Sequence, residues 1–193
     1  KKLEHLARQF VFGRFLSSGS AEYYDLIYNG GKFTPLVIDN PEILQLLHYG
    51  KIENNFVFNY LDYLLWCQGM SSVKSDDVVK QFEFSFRSSV EHFYPQHPLE
   101  GHSKLDEKQL HRFGNLCLIS HSKNSKLSNV QPAAKADHFK AAITNKNIDS
   151  LKLYEMIKLI PNDGKWHTAQ IEKHDQEMIK LLVNDSEVGR IDE

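Results

Sequence analysis

The sequence contains few cysteines and no long apolar run. Its 193 residues include only Cys67 and Cys117, too few for a disulfide framework or a zinc site built on thiolates. No stretch approaches the roughly 18 uncharged apolar residues of a membrane-spanning helix, and the first residues lack the pattern of a secretory signal. These absences exclude a transmembrane protein and a disulfide-rich secreted one. We therefore expect no membrane contact and a reducing, cytoplasmic environment.

Net charge is also small, −2 at pH 7, but the charge is unevenly distributed. Segment 101–146 is basic, while the segments on either side of it are acidic. Its basic residues are Lys104, Lys108, Arg112, Lys123, Lys126, Lys135, Lys140 and Lys146, and its acidic residues are Asp106, Glu107 and Asp137. Such an asymmetry is typical of a surface that faces phosphate, although a solvated face can have the same composition.

The first 80 residues are predicted to be helical. Apolar periodicity and end signals predict four helices, over residues 3–11, 23–28, 41–49 and 55–67. Ser20 is the candidate cap of the second helix and Asn40 of the third, whereas Gly69 is expected to close the fourth. The tyrosines and leucines of these helices are more typical of a core than of a cofactor site.

The pattern changes after residue 80. Phe82, Phe84 and Phe86 alternate with polar residues, which predicts a strand, and the chain is expected to stay extended over residues 90–94. Residues 116–119 predict a second, buried strand. Helices are then predicted over residues 122–128, 132–142, 151–160 and 168–183.

Three short motifs contain the side chains that could do chemistry. They are Val90-Glu91-His92-Phe93-Tyr94-Pro95-Gln96, Phe113-Gly114-Asn115-Leu116 and Ser122-Lys123-Asn124-Ser125-Lys126-Leu127-Ser128-Asn129. A hairpin of the two strands would bring Glu91 and Asn124 near the imidazole of His92. Oxygen ligands in so small a number suit Mg²⁺ or Mn²⁺, which keep several waters. Since adjacent strand residues point to opposite faces, a twist or bulge is needed for Glu91 and His92 to share one site.

In this order, the motifs Glu-His-x-x-Pro-Gln, Gly-Asn-Leu and Lys-Asn-Ser-Lys-Leu-Ser-Asn resemble the HNH, or His-Me finger (ββα-metal), nucleases. They most closely resemble the C-terminal nuclease domain of GmrSD-type, modification-dependent restriction enzymes. The resemblance is sharp over residues 90–140. It implies an α+β fold, mostly helical, with a small ββα-metal core.

The resemblance also suggests how the chain is organised. We expect a helical region at 1–80 that packs on or couples to the core, the ββα-metal core at 81–145, and C-terminal helices at 146–193. Lys1 is not a methionine and lies directly at a predicted helix start. We therefore expect one compact domain cut from a longer chain.

Roles follow from the resemblance, residue by residue. His92 matches the general base that takes a proton from the attacking water, and Asn115 matches the asparagine that pins the loop and orients the catalytic histidine. Glu91 and Asn124 match the two metal ligands. The candidate DNA contacts are Lys123, Lys126, Arg112 and Lys140.

The implied activity is metal-dependent hydrolysis or nicking of DNA, giving a 5′-phosphate and a 3′-hydroxyl, in bacterial defence against foreign DNA. The family also implies a nucleotide-hydrolysing, modification-sensing partner domain, either N-terminal or separate. No Gly-x-x-x-x-Gly-Lys-Ser/Thr loop occurs here, and we assign this chain no nucleotide site.

Two alternatives stay open: an inactive finger that only binds nucleic acid or couples domains, and a nuclease that acts on RNA. The intact set of His92, Glu91 and Asn124 favours an active enzyme, and the family resemblance alone favours DNA. A zinc site is disfavoured, because the remaining histidines have neither ligand spacing beside an acid nor a cysteine pair. The histidines considered for it are His97, His102, His111, His121 and His138.

Overall fold

The computed structural model describes residues 2–19, 21–30, 33, 35–37, 40–73, 76–85, 87–127 and 129–188, without the side chains of Ser125, Lys126 and Val188. The described residues form ten α-helices and two β-strands. The helices are α1 (Lys2–Phe10), α2 (Tyr23–Tyr28), α3 (Pro41–Leu46), α4 (Phe56–Ser71), α5 (Asp77–Lys80), α6 (Glu107–Leu110), α7 (His121–Leu127), α8 (Pro132–Thr144), α9 (Leu151–Lys158) and α10 (Thr168–Val188). The strands are β1 (Ser89–His92) and β2 (Leu116–Ile119). The predicted α+β fold, mostly helical, is confirmed.

Local capping explains where several helices begin. Asn40 Oδ1 accepts a hydrogen bond from the Glu42 backbone N–H at 3.0 Å, and Pro41 follows at the first helical position, as predicted. Asp76 and Asp106 cap α5 and α6 in the same way; these two short helices were not predicted. Helix α2 begins at Tyr23 after Glu22, and the predicted cap, Ser20, lies outside the described residues.

Helix α4 passes through the centre of the molecule. It is buried on most sides, through residues that include Phe58, Leu61 and Leu65, and packs against α5, α9 and α10. The predicted stop at Gly69 is wrong, because α4 continues to Ser71. Gly69 instead lets α5 approach: a Cβ there would lie 2.5 Å from Val79 Cγ1. None of the helices in the described ranges combines the length and apolarity needed to cross a membrane.

The strand predicted from Phe82 to Phe86 is wrong for the described residues 82–85, and Phe86 lies outside them. The reason is Arg87, whose guanidinium lies over the Phe82 ring. It donates hydrogen bonds to the carbonyl oxygens of Ser85 at 3.0 Å and Glu83 at 3.4 Å. An arginine side chain therefore binds carbonyls that a neighbouring strand would otherwise bind.

Strands β1 and β2 form an antiparallel pair in regular register, with Glu91 opposite Cys117 and His92 opposite Leu116. A buried polar network fixes the start of β2. Lys152 of α9 is completely buried, and its ammonium donates to the carbonyl oxygens of Phe113 and Leu116 at 2.7 and 2.6 Å. Burial lowers the pKa of Lys152 to about 8.

Helix α10 packs on the 3₁₀ turn Phe113–Asn115 that precedes β2. A Cβ on Gly114 would lie 2.2 Å from the Ile171 carbonyl oxygen and 2.8 Å from the Asp175 backbone nitrogen. The Gly114 N–H donates to Asp175 Oδ1 at 2.7 Å. Only glycine fits this turn while α10 stays in place.

We expect Gly114→Ala to lower the free energy of unfolding by about 3 kcal/mol, because backbone atoms on both sides must shift to admit the methyl group. Urea unfolding followed by circular dichroism measures the change. Gly19→Ala is the matched control, since no atom lies within 4 Å of a Cβ there. A loss at Gly114 no larger than that at Gly19 would contradict this packing.

His174 is a completely buried residue of α10. Neither of its ring nitrogens has a hydrogen-bond partner within the described ranges. Burial, with the charge of Lys152, holds the pKa of His174 well below its ordinary value. We expect His174→Met to raise the free energy of unfolding by about 1–3 kcal/mol at neutral pH, because it removes an unsatisfied polar group at similar volume.

The same substitution should change the pH dependence of stability. The unfolded chain protonates His174 below about pH 6.5, whereas the folded chain does not, so wild-type stability falls as pH falls through that value. This residue contributes at most about 1.4 kcal/mol per pH unit. Urea unfolding at neutral pH and near pH 5.5 should give a shallower fall for His174→Met, and an unchanged fall would contradict the assignment.

Candidate functional site

The strand β1 presents its side chains to two different faces. Glu91 and Ser89 point towards α7 and α8, where they meet Lys135 and Asn124. His92 points to the other face, towards His111. Because the β1–β2 register is regular, the bulge needed to turn Glu91 and His92 to one side is not present in this pair of strands.

His92 is enclosed by hydrogen-bonding and aromatic groups. Its side chain is buried, with Nδ1 2.9 Å from Gln96 Nε2 and Nε2 3.0 Å from His111 Nδ1. The Tyr49 ring lies edge-on to the imidazole, with centroids 4.4 Å apart. Burial, followed by the effects of His111 and Lys135, lowers the pKa of His92 to about 3. The imidazole is therefore neutral at pH 7, the state a general base needs, and the same burial makes it a weaker base than a free imidazole.

Glu91 forms a buried ion pair with Lys135 of α8. The two side chains are 7% and 1% exposed, and the ammonium also donates to the His92 carbonyl oxygen at 2.5 Å. Burial raises the pKa of Glu91 and lowers that of Lys135, while each charge opposes the shift of the other. Lys135 thus holds the backbone at the end of β1.

Asn115 lies at 0% exposure and uses its amide fully. Its Oδ1 accepts from the Tyr94 backbone N–H at 2.8 Å and from Trp166 Nε1 at 3.1 Å. Its Nδ2 donates to the carbonyl oxygens of Tyr94 and Leu110 at 3.2 and 2.8 Å. Asn115 therefore joins the two segments that carry Gln96 and His111, the two residues that hydrogen-bond the His92 ring.

The two predicted metal ligands, Glu91 and Asn124, differ in whether an oxygen atom remains available to bind a cation. Asn124 donates through Nδ2 to Ser89 Oγ at 2.5 Å, so its carbonyl oxygen is the atom that could serve a cation. Carboxylate and amide oxygens on one face of β1 fit a hard cation in chemical type, but Glu91 would have to share its charge between that cation and Lys135. Within the described ranges, no three His, Cys, Asp or Glu side chains are grouped as metal ligands.

The candidate DNA contacts lie in different settings. Arg112 is bound to Asp175, at 2.7 Å from Nη2 to Oδ2, and Lys123 forms an ion pair with Asp149. Lys140 is 75% exposed and pairs with a carboxylate of its own helix. The Lys126 side chain lies outside the described residues. Of the three that are described, Lys140 is the one whose ammonium faces solvent most fully.

A cleft of about 430 Å³ lies beside the site. Tyr49, which contacts His92, lines it together with Ser89 and Asn124. The cleft therefore reaches groups on both faces of β1.

Four residues of this site were missed by sequence reasoning. Gln96 stands inside a quoted motif, and His111 precedes Arg112 and the Gly-Asn-Leu motif, but it was considered only as a zinc ligand. Lys135 was counted only as charge, and Tyr49 only as a helix residue. The available signal was a place within a motif for Gln96 and two residues before one for His111, whereas Lys135 and Tyr49 reach the site through packing.

A family model of the C-terminal domain of GmrSD restriction endonucleases matches residues 39–181, well over half of the chain. No curated protein and no solved structure matches this chain.

Proposed function

The chain belongs to the family of GmrSD restriction endonuclease C-terminal domains, and from that premise we propose that it is a metal-dependent DNA endonuclease or nickase of the HNH type. In this proposal β1, β2 and α7 form the ββα-metal core. The observation that carries it is His92, a neutral imidazole held by hydrogen bonds at the end of β1. Its neighbour Tyr49 lines a cleft together with Asn124.

His92 acts as the general base. It takes a proton from a water molecule, the resulting hydroxide attacks phosphorus, and the bond from phosphorus to the 3′-oxygen breaks. The leaving 3′-oxygen takes a proton from solvent water, so the products carry a 5′-phosphate and a 3′-hydroxyl. A positioned base of this kind contributes roughly 10²–10⁴-fold to the rate.

Glu91 and Asn124 would hold the divalent cation, Mg²⁺ or Mn²⁺. When bound, such a cation stabilises the charge that develops on the phosphate and on the leaving oxygen. Lys135 keeps Glu91 in place in the absence of the cation. Asn115 fixes the loops around the base.

The DNA backbone is bound by the basic segment. Lys140 and Lys126 are the first candidates for phosphate contacts. Lys123 and Arg112 contact phosphate after exchanging their ion pairs with Asp149 and Asp175 for it. The biological role is restriction of phage or modified DNA in the bacterial cytoplasm. A nucleotide-hydrolysing partner domain, N-terminal or separate, supplies recognition of the modification.

A second candidate is a finger that binds nucleic acid without cutting it. The buried pair of Lys135 with Glu91 favours it, because a carboxylate that already holds an ammonium is a weaker ligand for a divalent cation. The two functions differ in one measurable way: only the nuclease hydrolyses phosphodiester bonds.

End-labelled DNA duplexes and RNA of the same sequence test the proposal. The protein is incubated with each substrate in Mg²⁺, Mn²⁺ or EDTA, and the products are resolved on a sequencing gel. We expect DNA cleavage only with a metal ion, with 5′-phosphate ends. Binding without cleavage would favour the second candidate, and cleavage that EDTA leaves unchanged would contradict the metal dependence.

A further inference from the structure

The hydrogen bonds of His92 define where its proton lies. The Gln96 amide nitrogen can only donate, so Nδ1 of His92 accepts that bond. In a neutral imidazole the other nitrogen, Nε2, then carries the proton. Since Nε2 lies 3.0 Å from His111 Nδ1, the His111 nitrogen accepts this bond.

His111 is itself firmly held. Its ring stacks on Tyr49, with centroids 5.4 Å apart and planes within 14°, and its carbonyl oxygen accepts from the Tyr49 N–H at 2.9 Å. The carbonyl of Leu110, one residue earlier, accepts from Asn115. The acceptor nitrogen of His111 is therefore placed by three separate contacts.

We propose that His111 is the positioning residue of the site: its Nδ1 holds His92 in the tautomer protonated at Nε2, so that Nδ1 of His92 takes the proton of the attacking water. This inference rests on the proposed nuclease function. It assigns the orientation of the base to His111 and Gln96, with Asn115 acting through the backbone that carries them.

The arrangement also supports the base after it has acted. Before the reaction, the Gln96 amide N–H covers Nδ1 of His92. The attacking water takes the place of that amide N–H at Nδ1. One water proton moves to Nδ1 and the hydroxide goes to phosphorus. The bond from Nε2–H of His92 to His111 then has a charged donor and becomes stronger.

Histidine tautomers are read directly from long-range ¹H–¹⁵N correlation spectra of the full chain, labelled with ¹⁵N-histidine and free of metal and DNA, at neutral pH. We expect His92 to be protonated at Nε2. Because the Gln96 amide alone favours the same tautomer, the His111 variants are compared in a Gln96→Leu background. There His111→Phe keeps the stacked ring but has no acceptor, and it should leave His92 in a mixture of tautomers. His111→Asn offers a carbonyl oxygen near the original Nδ1 and should restore the single tautomer.

Cleavage rates provide the second readout. We expect His111→Phe to lower kcat by about 10–100-fold with KM little changed, and His111→Asn to recover most of that loss. His102→Phe, at an exposed loop histidine, is the matched control and should retain wild-type rates.

Two results would overturn the proposal. One is His92 protonated at Nδ1 in the wild type, and the other is a His111→Phe substitution that changes neither the tautomer in the Gln96→Leu background nor kcat in the wild-type background. If the wild type cuts no DNA, the nuclease function fails, but the spectra still decide whether His111 sets the tautomer of His92. The two failures are therefore distinguishable.

Discussion

Replacement of His92 by alanine is expected to slow DNA cleavage by roughly 10²–10⁴-fold, which corresponds to about 3–5.5 kcal/mol of activation free energy. The reason is that His92 is the proposed base and the two nearby imidazoles have other contacts. His111 serves as the acceptor of the His92 hydrogen bond, and His48 packs edge-on against His111. Single-turnover cleavage of a labelled duplex measures the effect, because it isolates the chemical step from product release.

A buried imidazole also contributes to packing, so the alanine variant is compared with a second variant at the same position. His92→Gln keeps a polar side chain that can bond Gln96 or His111 but cannot act as a base near neutral pH. Both variants should lose cleavage while circular dichroism shows a folded protein. His102→Ala controls for the loss of an exposed histidine. Wild-type cleavage by folded His92→Gln would remove His92 from the mechanism.

Lys135→Met is expected to lower the free energy of unfolding by about 3–5 kcal/mol, the usual effect of removing one partner of a buried ion pair. Methionine is close to lysine in length, so lost packing contributes little. The substitution leaves the Glu91 carboxylate without its ammonium and the His92 carbonyl without a donor. Urea unfolding measures the loss.

Two further variants isolate the ion pair. Lys140→Met, an exposed position on the same helix, should change stability by no more than about 0.5 kcal/mol. Glu91→Gln combined with Lys135→Met should be more stable than Lys135→Met alone, because it removes the uncompensated charge. A double variant that is no more stable than the single one would contradict this assignment for Lys135.

The fold was predictable where its causes are local. The start of α3 was predictable because its two signals, the cap Asn40 and the first-turn Pro41, lie at the helix end that they define. The apolar run Leu116–Ile119 is a buried strand, as its pattern indicated. The alternation of Phe82 and Phe84 was misleading, because Arg87 and the distant Ile148 carbonyl decide the conformation there.

The same distinction explains the candidate site. The motifs brought His92, Glu91, Asn115 and Asn124 to attention, and the alternation of β1 already indicated that the first two point apart. The pairing of Glu91 with Lys135, 44 residues later, could not be inferred, because it depends on how α8 crosses β1. The contact of His92 with His111 depends likewise on the loop that Asn115 closes.

The most direct test of the central claim is conversion of supercoiled plasmid by wild-type protein and by His92→Ala, each in Mg²⁺, in Mn²⁺ and in EDTA. A nick converts supercoiled plasmid to the open circle, and a double-strand break gives the linear form, so one gel reports activity. The account predicts conversion by the wild type with a metal ion, and none by His92→Ala or in EDTA. Equal conversion by both proteins would contradict it.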